Sequence, residues 1–336
     1  MKRLLKLAGL LNRKPPPVGR TPARVVHHEN KWRLLRYDPR PAGCAFQTPV
    51  LLIPSLINRH YILDLTPGKS FAEFLVSRGH PTFIIDWGTP EAEDRYLTFD
   101  EICDRALGRA LRLCARQSPR GQAHLMGYCL GGTLAAIHAA ARPRHVASLL
   151  ALAAPVHFND EGLLSTWTRL PSFDIDALTR AGNVPWQLMQ SSFHLLKPTL
   201  NLQKAVGLVD RAWDDEFLDG FFAVETWAND NVSFPAECYR QYISDLYRRD
   251  LFFQGAFTLS GDPARPSDIT CPVLAVSFAH DHIVPWRTAA ALVDAVSSVD
   301  KHHTQLPGGH IGAVVSRKAA AHLWPMMSDW WALRDR

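Results

Sequence analysis

The feature that most restricts how this chain can fold is the stretch His124-Leu-Met-Gly127-Tyr-Cys129-Leu-Gly131-Gly132-Thr-Leu-Ala-Ala, where an apolar strand runs directly into an alanine-rich helix. So sharp a turn holds its central residue, Cys129, in a strained backbone conformation, and side chains two positions to either side would collide. Gly127 and Gly131 remove both collisions, and Gly132 is the third glycine of the elbow. At the start of the following helix, Cys129 would also meet free N–H groups and the positive end of the helix dipole, which favour negative charge on sulfur. Taken alone, the same residues could be a small buried thiol packed among glycines.

Two later segments argue for chemistry. Val273–Phe278 reads as a strand running into Ala279-His-Asp281-His-Ile-Val-Pro-Trp286, which places Asp281 just past its end. A second short strand, near residues 302–306, leads into Pro307-Gly-Gly-His310-Ile. Nucleophile, acid and histidine then occur in that chain order at the ends of successive strands, the order of the α/β-hydrolase fold. Separations of 152 and 29 residues leave room for an insertion in the first gap and one helix in the second. In this arrangement His310 takes the Cys129 proton, and Asp281 fixes the imidazole tautomer and stabilises its charged form. The oxyanion is expected to meet the backbone N–H of Leu130 and a second N–H from residues 55–57, assigned to Ile57. His282 competes for the histidine's role and reads as a loop residue.

The rest of the chain fits this fold class. Short apolar runs at Val50–Ile53, 82–85, 124–126 and Val146–Leu152 alternate with helix-like stretches at 70–78, 99–116, 133–141 and 288–296. Such alternation predicts a mostly parallel central sheet with helices on both faces. It fails between residues 158 and 268, where Phe217, Phe221, Val224 and Trp227 recur at helical spacing, so this segment reads as an inserted helical cap. The expected organisation is a basic tail and proline-rich linker over 1–24, an α/β core over 25–157 and 269–336, and a cap subdomain over 158–268.

Charge is segregated. Residues 1–40 carry 11 Lys or Arg against 2 Asp or Glu, and the remainder 26 against 30, so the body is not basic and nucleic-acid binding is not expected. Leu4, Leu5, Leu7, Leu10 and Leu11 fall near one helical face beside Lys2, Arg3 and Lys6, a pattern suited to a partner, a granule or an anionic membrane. The run is too short for a secretory signal, so the expected compartment is the cytoplasm. The six cysteines lack C-x-x-C spacing, and the histidine pairs form no ligand set, so neither a disulfide framework nor a metal is expected.

Gly127-Tyr-Cys129-Leu-Gly-Gly132, Asp281-His-Ile-Val-Pro-Trp286 and Gly309-His310-Ile are similar to boxes of the polyhydroxyalkanoate synthases. The resemblance extends to Ile57-Asn-Arg-His-Tyr-Ile-Leu-Asp-Leu65, Phe83-Ile-Ile-Asp-Trp-Gly88 and Trp227-Ala-Asn-Asp230, in order from about residue 50 to 315. It implies polymerisation of 3-hydroxyacyl-CoA with the acyl chain held as a Cys129 thioester, and a role for Asp281 in activating the 3-hydroxyl. No cofactor is implied, because CoA enters as part of the substrate. The implied partners are the hydroxyacyl-CoA, a second synthase subunit as in the two-component type, a homodimer and the polymer granule surface. Two departures, Ile311-Gly-Ala-Val-Val-Ser-Arg-Lys318 where the family has an Asn-Pro-Pro run and Leu130 within the elbow, keep other readings open. One is a thioesterase or acyltransferase for CoA- or carrier-bound chains, and another a non-catalytic granule- or partner-binding protein on the same fold. Thiolate attack on a CoA thioester exchanges one thioester for another, so the acyl group stays activated for an alcohol, which favours transfer over hydrolysis.

Overall fold

A computed structural model describes residues 13–160, 162–196 and 200–335. Eight strands form one sheet in the order β1-β2-β4-β3-β5-β6-β9-β10. They are β1 (Ala23–Glu29), β2 (Trp32–Tyr37), β3 (Val50–Ile53), β4 (Thr82–Asp86), β5 (Ala123–Tyr128), β6 (Val146–Leu152), β9 (Val273–Phe278) and β10 (Lys301–Leu306). The two-residue strands β7 (Thr258–Leu259) and β8 (Asp262–Pro263) pair separately. β1 and β2 pair antiparallel, β2 runs antiparallel to β4, and every other pairing in the large sheet is parallel.

The central strands are continuous apolar runs because both of their faces are covered. Leu51, Ile53, Leu125 and Leu149 point into a core shared with the helices Leu107–Ala115 and Leu130–Ala141. Their neighbours Val50, Leu52, Met126 and Leu150 point the other way, against Phe71 and Leu75 of the helix Phe71–Arg78 and Trp324, Met327 and Trp331 of the C-terminal helix Trp324–Ala332. Period-two alternation thus distributes one set of strands between two cores.

The hairpin β1–β2 was not legible as strands. Its outer strand is largely exposed and includes His27, His28 and Glu29, so no apolar pattern marks it. Asn30, with φ 51°, turns the chain between the two strands; asparagine tolerates that left-handed conformation better than most residues. The boundary expected at residue 24 therefore falls inside β1 and needs correction. Docking begins earlier still: Val18 packs on the sheet, the Gly19 N–H donates to the Asp64 carbonyl at 2.9 Å, and the Thr21 hydroxyl donates to the Asp64 carboxylate at 2.5 Å. The leucine-rich face expected over residues 1–11 lies outside the described residues.

Between β6 and β9 the chain is predominantly helical. Asp174 and Asp214 cap two of its helices by accepting from the N–H groups of Ala177 and Phe217. In the helix Asp215–Asn229, Ala223, Val224 and Trp227 pack toward the sheet core. This region is tied to the loop after β3 by polar contacts. Asp230 pairs with Arg59 at 3.0 Å and accepts from the Tyr61 hydroxyl at 2.8 Å, while the Trp227 indole N–H donates to the Arg59 carbonyl at 2.8 Å. The 57–65 and 227–230 segments singled out in the sequence therefore meet as one lock.

Buried Asp64 gathers Thr21, the Ser70 hydroxyl at 2.7 Å and the Tyr37 hydroxyl at 3.4 Å, joining the N-terminal segment, β2 and a helix cap. Replacing it leaves buried hydroxyls without their acceptor, so Asp64→Ala is expected to cost about 1–3 kcal/mol in urea denaturation. The exposed Asp38→Ala should stay within about 0.5 kcal/mol of the parent.

Candidate active site

Cys129 lies between β5 and the helix Leu130–Ala141, with φ 56° and ψ −132°, a conformation that L-residues rarely adopt. Its N–H donates to the Leu152 carbonyl at 3.0 Å, which holds the strained residue against β6. A Cβ at Gly127 would strike the backbone of Gly131 and Gly132, and one at Gly132 would strike Ala154. At Gly131 the obstacle differs from the one expected, because a Cβ would run into the Ile53 carbonyl at the end of β3. The three glycines thus let the elbow sit directly on its two neighbouring strands.

Asp281 and His310 follow β9 and β10, neighbouring strands in parallel register, and meet there. His310 Nδ1 lies 2.7 Å from Asp281 Oδ2, while Asp281 Oδ1 accepts the N–H groups of Ile283 at 2.9 Å and Val284 at 2.8 Å. An ionised carboxylate only accepts, so Nδ1 carries the hydrogen and Nε2 is left for the sulfur. Cys129 lies close enough to the same imidazole to act on its charge. Burial pushes the His310 pKa down, but the Asp281 carboxylate, the charge of Cys129 and the hydrogen bond to Asp281 outweigh it and hold the value well above the ordinary histidine range. His282, the competing histidine, is exposed.

Tyr128, which precedes the cysteine, was not singled out in the sequence. Its ring stacks on His310 at 5.2 Å and its hydroxyl donates to the His310 carbonyl at 3.2 Å, bracing the imidazole from behind.

Over Cys129 lies an apolar cleft, partly open to solvent. Leu130 and Ile57 line it beside the cysteine, and Trp167, Phe193, Tyr242 and Tyr247 line it from the helical insertion. Leu130 opens its helix, so its N–H belongs to the first turn, which lacks intrahelical acceptors. Tyr242 and Tyr247 pack edge to face, and burial raises the pKa of both phenols. The aromatic spacing 239, 242, 247 was the available sequence signal for this wall. Among the described residues no group of three or more His, Cys, Asp or Glu is placed to hold a metal ion, and no helix is long and apolar enough to cross a membrane.

A family model of the α/β-hydrolase fold matches residues 48–315, and one of the poly-beta-hydroxybutyrate polymerase (PhaC) N-terminus matches residues 16–75. The poly(3-hydroxyalkanoate) polymerase subunit PhaC of Allochromatium vinosum is 34% identical over 328 residues, 96% of this chain and 92% of that relative. The chain belongs to the PhaC family. The PhaC subunit of Haloferax mediterranei is also 34% identical, over 95% of this chain but 65% of that longer protein, and that of Synechocystis is 31% identical over 97% and 88%. Among solved structures, a soluble variant of monoglyceride lipase from Saccharomyces cerevisiae covers 96% of this chain and 99% of its own at TM-score 0.59 and 13% identity. A thermophilic esterase from Thermogutta terrifontis does so over 94% and 98% at TM-score 0.55 and 15% identity. At such identities these neighbours speak for the fold alone.

In this PhaC family member the His310 charge depends on Asp281, which sets a test. Because the native value is raised, the stability contributed by the pair is fully present below about pH 6.5, the unfolded value. It is lost as pH rises through the native one. In Asp281→Asn the imidazole stays buried without its carboxylate, so its pKa should fall sharply. NMR of labelled imidazole nitrogens is expected to show His310 protonated at neutral pH in the parent and neutral in the variant. Identical titration of both would assign the charge to the sulfur instead.

Proposed function

We propose that this protein is a poly(3-hydroxyalkanoate) polymerase, an acyltransferase that lengthens a polyester from 3-hydroxyacyl-CoA through a thioester on Cys129. The observation that carries the reading is the strained Cys129 at a helix start, electrostatically coupled to an imidazole that Asp281 holds at 2.7 Å. Family membership supports it, since the relatives are named as polymerase subunits.

The chemistry runs in two exchanges. The Cys129 thiolate attacks the thioester carbonyl, the C–S bond to CoA breaks, and the departing thiolate takes the proton held by His310. The N–H groups of Leu130 and Ile57 are the proposed donors to the oxyanion. A 3-hydroxyl then attacks the Cys129 thioester, passing its proton to His310, and the Cys129 thiolate leaves as an oxoester forms. Asp281 keeps the imidazole oriented throughout and assists activation of the hydroxyl. The apolar roof contributed by the insertion limits water, the competing nucleophile at the acyl-enzyme. The relatives are named as polymerase subunits, which favours a second synthase subunit as partner, and a polymer made by a chain of this kind would place it at a granule surface.

Incubation with 3-hydroxybutyryl-CoA, following CoA release and product mass together, tests the reading: polymer is expected, whereas free acid would point to a thioesterase. Cys129→Ala should abolish CoA release and the mass adduct. Cys129→Ser must deprotonate a far weaker acid and would form an oxoester that is harder to pass on. Its turnover should fall roughly 10⁴-fold, the scale of losing a triad member. Acylation of another cysteine, with turnover intact in Cys129→Ala, would overturn the mechanism.

A further inference from the structure

A second cleft shares no lining residue with the apolar one above Cys129. Its walls are the helix Asp215–Asn229 on one side and the segment that follows His310 on the other, with Phe217, Phe221, Val224 and Val315 as the apolar surface. Val224 and Val315 belong to the apolar cluster that also includes Cys129, and Gly312, on the cleft wall, lies two positions after His310. The cleft therefore borders the segment that carries His310.

Its rim is basic: Lys69, Lys204, Arg211, Arg317 and Lys318 line it against two carboxylates, Glu216 and Glu225. Those carboxylates are engaged, Glu216 by Arg317 and Glu225 by Lys204 at 2.6 Å. Arg211 pairs with Asp214 at 2.5 Å and lies over the Phe217 ring at 4.0 Å. Lys69 is different. Among the described residues its ammonium forms no ion pair; it donates to the Glu216 carbonyl at 3.2 Å and lies over Gly220, where any Cβ would displace it. Burial lowers the Lys69 pKa and nearby Arg317 adds to that effect, while Asp219 and Asp214 oppose it. Glycine at 220 thus admits a half-buried cation that lacks a carboxylate of its own.

A phosphorylated aromatic ligand suits this combination. Phosphate oxygens pair with lysine and arginine, and the aromatic and aliphatic wall offers a surface for a flat base. We propose that this cleft holds the 3′-phosphoadenosine diphosphate end of the CoA thioester, with Lys69 and Lys318 as phosphate-binding residues and Phe217 and Phe221 beneath the adenine. The inference rests on the acyl-CoA reading above, and it gives the two clefts different tasks: CoA enters along the basic one, and the apolar one above Cys129 keeps the acyl chain.

The test compares two substrates that differ only in the phosphorylated end. For each variant, kcat/KM is measured with 3-hydroxybutyryl-CoA and with the N-acetylcysteamine thioester of the same acyl group. In Lys69→Ala and in Lys318→Ala the ratio of the first to the second is expected to fall about tenfold, the size of one charge-assisted contact. Lys318 is exposed, so its replacement does not threaten the fold. Binding of adenosine 3′,5′-bisphosphate, followed by calorimetry, should be detectable in the parent, weaken with salt, and vanish in the double variant Lys69→Glu, Lys318→Glu. A ratio unchanged in both single variants, or bisphosphate bound equally by parent and double variant or by neither, would overturn the assignment. If the parent turns over neither thioester, the polymerase reading fails, and bisphosphate binding still decides the cleft.

Discussion

Everything around the candidate site depends on how closely the helix Leu130–Ala141 approaches the sheet. That helix starts against the end of β3 and beside Ala154, at distances only hydrogen atoms permit at Gly131 and Gly132. Close approach forces Cys129 into its left-handed conformation, and the same approach turns its side chain out of the core toward the cleft. Strain of this kind costs on the order of 1–3 kcal/mol and persists only where the surrounding packing over-determines it. Here the packing is a layer of fully buried side chains on both faces of the sheet. The two cores thus act together as the clamp that keeps a thiol in a position it would not choose.

Among the described residues, the buried carboxylates Asp281 and Asp86 each join separate parts of the chain. Asp281 accepts two backbone N–H groups and the imidazole, so its ionised form is satisfied without a lysine or arginine. Asp86, at the end of β4, is held below the ordinary carboxylate range: burial would raise it, but His60, Arg33 and the Gly88 N–H outweigh that. Arg59, one residue before His60, reaches Asp230. The loop after β3 therefore touches the end of β4, the insertion and, through Ile57, the cleft over the cysteine. Its position is shared among three partners, which suits a loop proposed to supply an oxyanion donor.

Much of the site was readable in the sequence because its parts are local. A glycine two positions from a cysteine, an aspartate just after a β-branched strand and a histidine after a Pro-Gly-Gly turn are each short-range signals. Nothing local separates a tyrosine that braces an imidazole from one that fills a core, and the partner of Tyr128 is 182 residues away. The β1–β2 hairpin is hidden for a related reason, since its exposed edge strand β1 carries no apolar alternation.

By itself, the sequence determined the class of fold, the placement of Cys129, Asp281 and His310 in that order at the ends of strands, and the helical character of the insertion, all consequences of periodicity and of residues that punctuate the backbone. Only the tertiary structure decided which phenols line the cleft over Cys129, where residues 18–24 dock, and that Lys69 lies over Gly220 without a carboxylate partner among the described residues. The physical reason is range. Backbone strain and hydrophobic period act within a few residues, while desolvation and electrostatic pairing depend on groups that meet only when strands distant in the chain lie side by side.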